Sequence, residues 1–268
     1  MRFQQFFPPD YLQEYVRYFW VLESASDCVE MRTFRMIADG YPGFILQQAE
    51  QQLFRDQTQK QWPRAFLYGQ TTTAGDISVP GPFRTLGVYF HPSALPAIFG
   101  FNADELTNSC VGLDLLAPSL AERLINTQSV PKQIELLSNY LFEMAQKSKA
   151  AMSKDIQYSL RQIDKSSGGI CLRDLHQTLG VTERSFQRKF KQCVGIPPKL
   201  FSRICRFQVS LNQLRNHQYR KLSDVAFEND YGDQSHYIRS FQEFAGCSPF
   251  QYQKQVNELV ENFPLLVQ

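Results

Sequence analysis

Several protein classes are excluded by what this sequence has little of. Its 268 residues carry six cysteines, at 28, 110, 171, 193, 205 and 247, with no CxxC pair and no histidine beside them. A structural zinc site needs closely spaced ligand pairs, so no metal and no cofactor is expected. The cysteines read as small hydrophobes of a reducing compartment. No apolar run approaches the ~20 residues of a bilayer span. The start, MRFQQFFPPD, has no basic segment leading into an apolar one, so no signal peptide is read. The expectation is a cytoplasmic protein with no membrane partner. Catalytic turns of the GxSxG type are missing as well. Ser235 and His236 adjoin in 233-DQSHYIRSFQEF-244, but neighbours on a helix point about 100° apart. A nucleophile and its base must meet within hydrogen-bond reach, so no catalytic residue is assigned and the chain is not read as an enzyme.

What is present divides the chain in two. The net charge of +2 is unevenly spread: residues 1–150 carry −3, residues 151–268 carry +5, and 173–221 alone carry +9. A positive block in a near-neutral protein points to a polyanion partner, with a solvated basic face as the plainer reading. In the first half, FRMIAD, GFILQQ, AFLYGQ, DISVPG and FRTLGVYF are short, rich in β-branched or aromatic residues, and separated by Gly and Pro. That spacing predicts an antiparallel sandwich or barrel. Tyr11–Ser24 mixes helical and strand periodicity. From His91 the pattern turns helical, and Pro131 opens a helix with Ile134, Leu137, Tyr140, Leu141 and Met144 on one stripe. That stripe fits a dimer interface and packing within its own domain equally well. The polar stretch 146–155 marks the boundary, giving domains 1–148 and 152–256 with a tail at 257–268.

The second half contains a repeat. A shift of 51 aligns Phe186 with Tyr237, Arg188 with Arg239, Phe190 with Phe241, Gly195 with Gly246, Pro198 with Pro249 and Phe201 with Tyr252. Upstream the shift is 50, as in Leu172/Leu222 and Leu175/Val225. In the first unit, Leu172, Leu175 and Leu179 line a short helix that Gly180 ends. Thr182 is a good N-cap for the next helix. There Phe186 and Phe190 face inward, opposite Arg184, Gln187, Arg188 and Lys191, and Gly195 is the stop. In the second unit Leu222, Val225, Ala226 and Phe227 begin a helix. Asp233 caps the next one, and Gln234, Ser235, His236 and Arg239 face outward in part. Arg suits guanine and Gln suits adenine in a major groove. Between the units, Leu200, Ile204, Phe207, Leu211 and Leu214 repeat at helical spacing, with Arg203 and Arg206 expected to be exposed.

Residues 153–253, above all 222-LSDVAFENDYGDQSHYIRSFQEFAGCSPFQYQ-253, resemble the DNA-binding region of the AraC/XylS family of bacterial transcription regulators. The resemblance implies two helix-turn-helix units on a linker helix and double-stranded DNA as partner. Its base-contact residues would be Arg184, Gln187, Arg188, Gln234, Ser235, His236 and Arg239. Thr182, Lys189, Lys191, Lys199, Arg203 and Arg206 are the phosphate-contact candidates. Three departures stand out: His176 where the family has a small Ala, Asp230 in place of the turn Gly with Gly232 two residues on, and Tyr237 for Phe. The first half more weakly resembles the family's cupin-like effector or dimerisation domains, through 7-FPPDYLQEYVRYFWVLE-23, the Asp39-Gly40 turn and 85-TLGVYFHPSALPAIFG-100. The expected fold is thus α+β, an antiparallel β domain followed by an all-α one. His91 is the lone histidine of residues 1–150, too few ligands for a metal-using cupin. Trp20, Tyr41, Trp62 and Tyr89 read first as core or ordinary surface, and second as a pocket for a small-molecule effector. The resemblance admits RNA polymerase and a second copy of the chain as partners. The competing readings are a protein-interaction module that has lost DNA binding, and a DNA-repair enzyme fusion.

Overall fold

The computed structural model describes residues 1–24, 31–48, 53–148, 150–257 and 265–266; Cys28 and most of the expected tail lie outside them. Two antiparallel sheets dominate the first half. One comprises β1 (Arg2–Phe6), β2 (Val16–Glu23), β4 (Gly43–Gln48), β6 (Ala65–Tyr68), β8 (Arg84–Phe90) and β9 (Cys110–Gly112), in the order β1-β2-β8-β4-β6-β9. The other joins β3 (Met31–Met36), β5 (Arg55–Asp56) and β7 (Gly75–Pro80) to two strands from the end of the chain, β10 (Val256–Asn257) and β11 (Leu265–Leu266). Leu265 pairs with Phe34, so the C-terminus returns to the N-terminal half.

All five expected strands are present. Tyr11–Ser24 resolves into a 3-10 turn, Asp10–Leu12, followed by β2. The reason for its mixed pattern is that β2 is buried on both faces, as a strand in a middle layer must be. Phe19 and Val21 point into a core shared with helices, while Tyr18, Trp20 and Leu22 point toward the second sheet. The period of two survives in where the side chains go, not in their polarity. On the helical side, α1 (Ala94–Phe99), α2 (Leu113–Leu116), α3 (Pro118–Asn126) and α4 (Val130–Lys147) cover the first sheet, with Leu137 and Leu141 of α4 buried in that core.

The second half comprises α5 (Lys154–Lys165), α6 (Leu172–Thr178), α7 (Glu183–Val194), α8 (Pro198–Arg215), α9 (Leu222–Glu228), α10 (Gln234–Ala245) and α11 (Pro249–Gln255). The repeat is realised helix by helix: α6-turn-α7 then α8, and α9-turn-α10 then α11. In both units the turn residue is left-handed. Gly180 has φ +66°, and Asp230, its equivalent at the shift of 50, keeps the same region at φ +53°. The departure from Gly therefore changes the residue and not the turn. His176 fits because its ring lies at the edge of the packing, with Nδ1 3.2 Å from the Val181 carbonyl oxygen. Phe227 is 83 % exposed and takes no part in the apolar face of α9.

Both units pack on α8. Phe190 is fully buried, 5.8 Å between ring centroids from Phe186 and from Phe201 of α8. In the second unit Phe241 lies 5.3 Å from Phe207 of α8. Phe190→Ala is expected to cost about 3–5 kcal/mol, because the aromatic contacts vanish and the packed surroundings cannot close the void; a thermal melt with no loss of stability would overturn the packing described. Gly180→Ala meets open space, yet its left-handed backbone should cost about 1–2 kcal/mol in the same melt.

Candidate nucleic-acid interface

The two turn-following helices are built alike. α7 starts where the Thr182 hydroxyl accepts the Ser185 N–H at 3.3 Å, and α10 starts where the Asp233 carboxylate accepts the His236 N–H at 2.6 Å. Such caps satisfy donors that helix geometry leaves free. Each helix ends on a left-handed glycine, Gly195 at φ +100° and Gly246 at φ +70°. Phe186, Phe190 and Val194 bury one face of α7; Tyr237, Phe241 and Phe244 bury one face of α10.

The exposed face of α7 is a single stripe of Arg184, Gln187, Arg188 and Lys191, at i, i+3, i+4 and i+7. The same stripe on α10 falls on Ser235, Ile238, Arg239 and Gln242, of which Ile238 is half-buried and the others exposed. Gln242 and Ile238 were not singled out in the sequence, although the shift of 51 carries Lys191 and Gln187 onto them. Gln234 and His236 are exposed at the first turn of α10. His236 folds back over its own turn: Gly232 N–H donates to its Nδ1 at 3.3 Å, and the ring meets Tyr231 edge-on at 5.3 Å. Its Nδ1 is thus an acceptor, which leaves Nε2 as the protonated nitrogen. Gln187 donates to Glu183 Oε1 at 2.8 Å. Among the described residues, no ion pair or hydrogen bond engages the side chains of Arg184, Arg188 or Arg239.

The phosphate-contact candidates are less free. Lys189 pairs with Asp155 at 2.8 Å and Lys191 with Asp104 at 3.6 Å. Thr182 spends its hydroxyl oxygen on the cap, and Lys199 is exposed in the first turn of α8. Arg203 and Arg206, expected to be exposed, are half-buried. Arg203 pairs with Glu243 and lies 5.1 Å over the Phe244 ring. Arg206 donates to the Asp230 carbonyl at 3.2 Å and to the Gly168 carbonyl at 3.3 Å. Helical spacing placed both off the apolar stripe of α8 but carried no sign of the second unit that packs over them.

A second feature lies in the N-terminal half. A cavity of about 700 Å³ is lined by both sheets, with Trp20, Tyr68 and Tyr89 from the first and Met36 and Gly75 from the second, and with Trp62 beside them. Two glycines make room for its walls. Gly87 pairs across β2/β8 with Trp20, and a Cβ there would overlap the indole. Gly43 pairs with Tyr68, and a Cβ there would overlap the phenol. Of the four aromatics considered for a pocket, Trp20, Trp62 and Tyr89 line it. Tyr41 instead lies under the Arg17 guanidinium at 4.8 Å, and burial pushes its hydroxyl up to about 12. Burial raises the Tyr68 phenol well above its ordinary range too. Among the described residues no group of three or more metal-ligating side chains gathers, and no helix is long and apolar enough to cross a membrane.

Family models match two stretches: residues 4–112 match a "Domain of unknown function (DUF6597)", and residues 175–255 match a "Helix-turn-helix domain". No curated protein matches the chain. Similar solved structures include ToxT from Vibrio cholerae, at 10% identity and TM-score 0.46 over 94% of this chain and 98% of that one. ToxT bound to (E)-4-(8-methylnaphthalen-1-yl)but-3-enoic acid aligns at 11% identity and TM-score 0.46, with 94% and 98% covered. The unsaturated fatty acid-bound form aligns at 10% identity and TM-score 0.45, with 87% and 94% covered. At such identities no function is carried across. The duplicated helix-turn-helix architecture and the match over its length agree: residues 175–255 form a helix-turn-helix domain of the AraC type.

Proposed function

We propose that this protein is a sequence-specific DNA-binding transcription regulator that places α7 and α10 in successive major grooves. One observation carries the reading: two capped helices, related by the repeat, expose equivalent arginines, Arg188 and Arg239, that no acidic partner within the described residues neutralises. They sit in the half of the chain with net charge +5. Arginine held this way is suited to bidentate contact with guanine. Arg184, Gln187, Gln234, Ser235 and His236 complete the base-contact set, and Ile238 and Gln242 join it. Lys199 is the phosphate contact that needs no rearrangement. Lys189 and Lys191 exchange their carboxylate partners for phosphate. The 18-residue α8 is about 27 Å long at 1.5 Å per residue, of the order of the ~34 Å repeat between major grooves.

The proposed domains are 1–148, which senses a small molecule in its cavity or pairs two copies, and 152–256, which binds DNA. The protein works in the cytoplasm of a bacterium, with RNA polymerase and a second copy of the chain as further partners, and needs no catalytic residue. The test is selection of bound fragments from random duplex DNA by the full-length protein at fixed salt. Arg188→Ala and Arg239→Ala should each weaken the selected site by about 1–3 kcal/mol and relax specificity at one position. Equal loss on all sequences would overturn their base-reading role. Lys199→Ala should weaken all sequences alike and lower the slope of log K against log salt by about 1; an unchanged slope removes it from the phosphate set.

A further inference from the structure

One side chain of α8 touches both helix-turn-helix units at once. The Arg206 guanidinium donates through Nη2 to the carbonyl of Gly168, in the loop that leads into α6, at 3.3 Å. Through Nη1 it donates to the carbonyl of Asp230, in the turn between α9 and α10, at 3.2 Å. Its central carbon lies 6.0 Å from the centre of the Tyr231 ring, the next residue of that turn. The two segments also meet each other: a Cβ on Gly169 would stand 3.2 Å from Asp230 Oδ2. The first unit's loop is pressed onto α8 as well. Gly168 has φ +79°, and a Cβ there would overlap the Ser202 carbonyl oxygen. Only glycine allows that approach in that conformation. Ser166 closes the loop behind it, donating its hydroxyl to the Ile163 carbonyl at 3.0 Å and accepting the Ile170 N–H at 3.1 Å.

The bridge supplies what the aromatic packing lacks. Burial of Phe190 and Phe241 against α8 holds each unit in place, but apolar burial is non-directional. Hydrogen bonds have a preferred angle, and a planar guanidinium presents its donors in a fixed fork. Two carbonyls served by neighbouring nitrogens of one fork cannot slide past each other without breaking a bond. Two other polar side chains of α8 reach the second unit: Arg203 pairs with Glu243, and Gln213 Oε1 accepts from Asn229 Nδ2 at 2.7 Å. Arg206 adds the first unit to the second. Its half-buried charge faces protein carbonyls, so it is not held out for a phosphate. The offset it governs matters on DNA. Each base pair added between two contacted blocks moves one of them by about 3.4 Å and turns it by about 35° around the duplex.

We infer that Arg206 is a positioning residue: by tying the loop of the first unit to the turn of the second, it fixes the offset between α7 and α10, and with it the spacing of the two DNA blocks that the protein accepts. The effect on DNA rests on the DNA-binding reading above; the effect on the two helices does not.

Both effects are measured on the full-length protein. Without DNA, spin labels carried on p-acetylphenylalanine at the exposed positions of Gln192 in α7 and Gln242 in α10 give the distance between the helices by pulsed electron resonance. Wild type is expected to show one narrow distribution. Arg206→Gln, and Arg206→Lys, which keeps the charge but not the fork, should show a broadened or displaced one at unchanged helical circular dichroism. An identical distribution in both variants overturns the positioning role, whether or not the protein binds DNA. On DNA, the selected site is compared with versions that have one base pair added or removed between its two blocks. Wild type should lose about tenfold or more in affinity on the altered spacings, and both variants should bring that ratio toward one. Full discrimination by Arg206→Lys would make the residue a point charge, and equal loss on all three spacings would make it a phosphate contact; either result overturns the inference. The same flattening in Arg203→Gln, which loosens the second unit, overturns it too, as does a wild type that binds all three spacings alike. A wild type that selects no two-block site overturns the regulator reading and leaves the label distances to decide the role of Arg206.

Discussion

Both helix-turn-helix units bury their aromatic faces against a single helix, with α5 and α11 completing the same core. α8 supplies Phe201 to Phe190 of the first unit and Phe207 to Phe241 and Phe244 of the second. The seven-residue α6 and α9 and the twelve-residue α7 and α10 are too short to hold a fold unaided, since isolated short helices are marginal in water. Their order comes from this shared packing. Once α8 holds the aromatic face of α7 or α10, the opposite face is turned to solvent, and the arginines at 188 and 239 have one direction left to point.

The same helix ties the two halves together. Gln208 reaches back to Ala38, and Phe201 lies against Gly40 at 3.1 Å from where a Cβ would stand. Residues 37–38 leave their sheet after β3 and complete the helical core, so the N-terminal half contributes structure to the DNA-binding half as well as sitting beside it. Arg35 lies at the same seam, bound to Asp76 at 2.8 and 3.0 Å and held protonated above its usual range by that carboxylate. Burial raises the neighbouring Cys247 thiol, with Arg35 opposing the shift. A seam built from hydrogen bonds such as Ala38 N–H to Phe244 and Gln208 to Ala38 is directional, and it fixes an orientation as well as an association.

Much of this was legible beforehand where the signal was local. Thr182, Asp233, Gly195 and Gly246 act at the helix ends the sequence assigned to them, because caps and left-handed stops depend on a residue and its near neighbours. The strands β4 and β8 were legible for a similar reason. Local signals misled where burial came from afar. Arg203 and Arg206 lie off the apolar stripe of α8 and looked exposed until the second unit closed over them. Phe227, which opens α9 together with Leu222, Val225 and Ala226 in the sequence, points to solvent while Val225 and Ala226 are buried. Tyr11–Ser24 was ambiguous because a strand covered on both faces loses the polar alternation that reveals a strand.

The sequence by itself determined the repeat, the caps, the inward aromatics and the sign of the charge on the C-terminal half, since each is a property of residue type and spacing along one chain. Tertiary structure alone decided which glycines clear space for Trp20 and Tyr68, which lysines meet carboxylates, and that residues 37–38 complete the core of the helical half. Those outcomes join residues far apart in the chain, such as Thr107 with Gly195 and Ala38 with Phe244. Periodicity carries no information about such pairs, because what brings them together is the packing of whole elements.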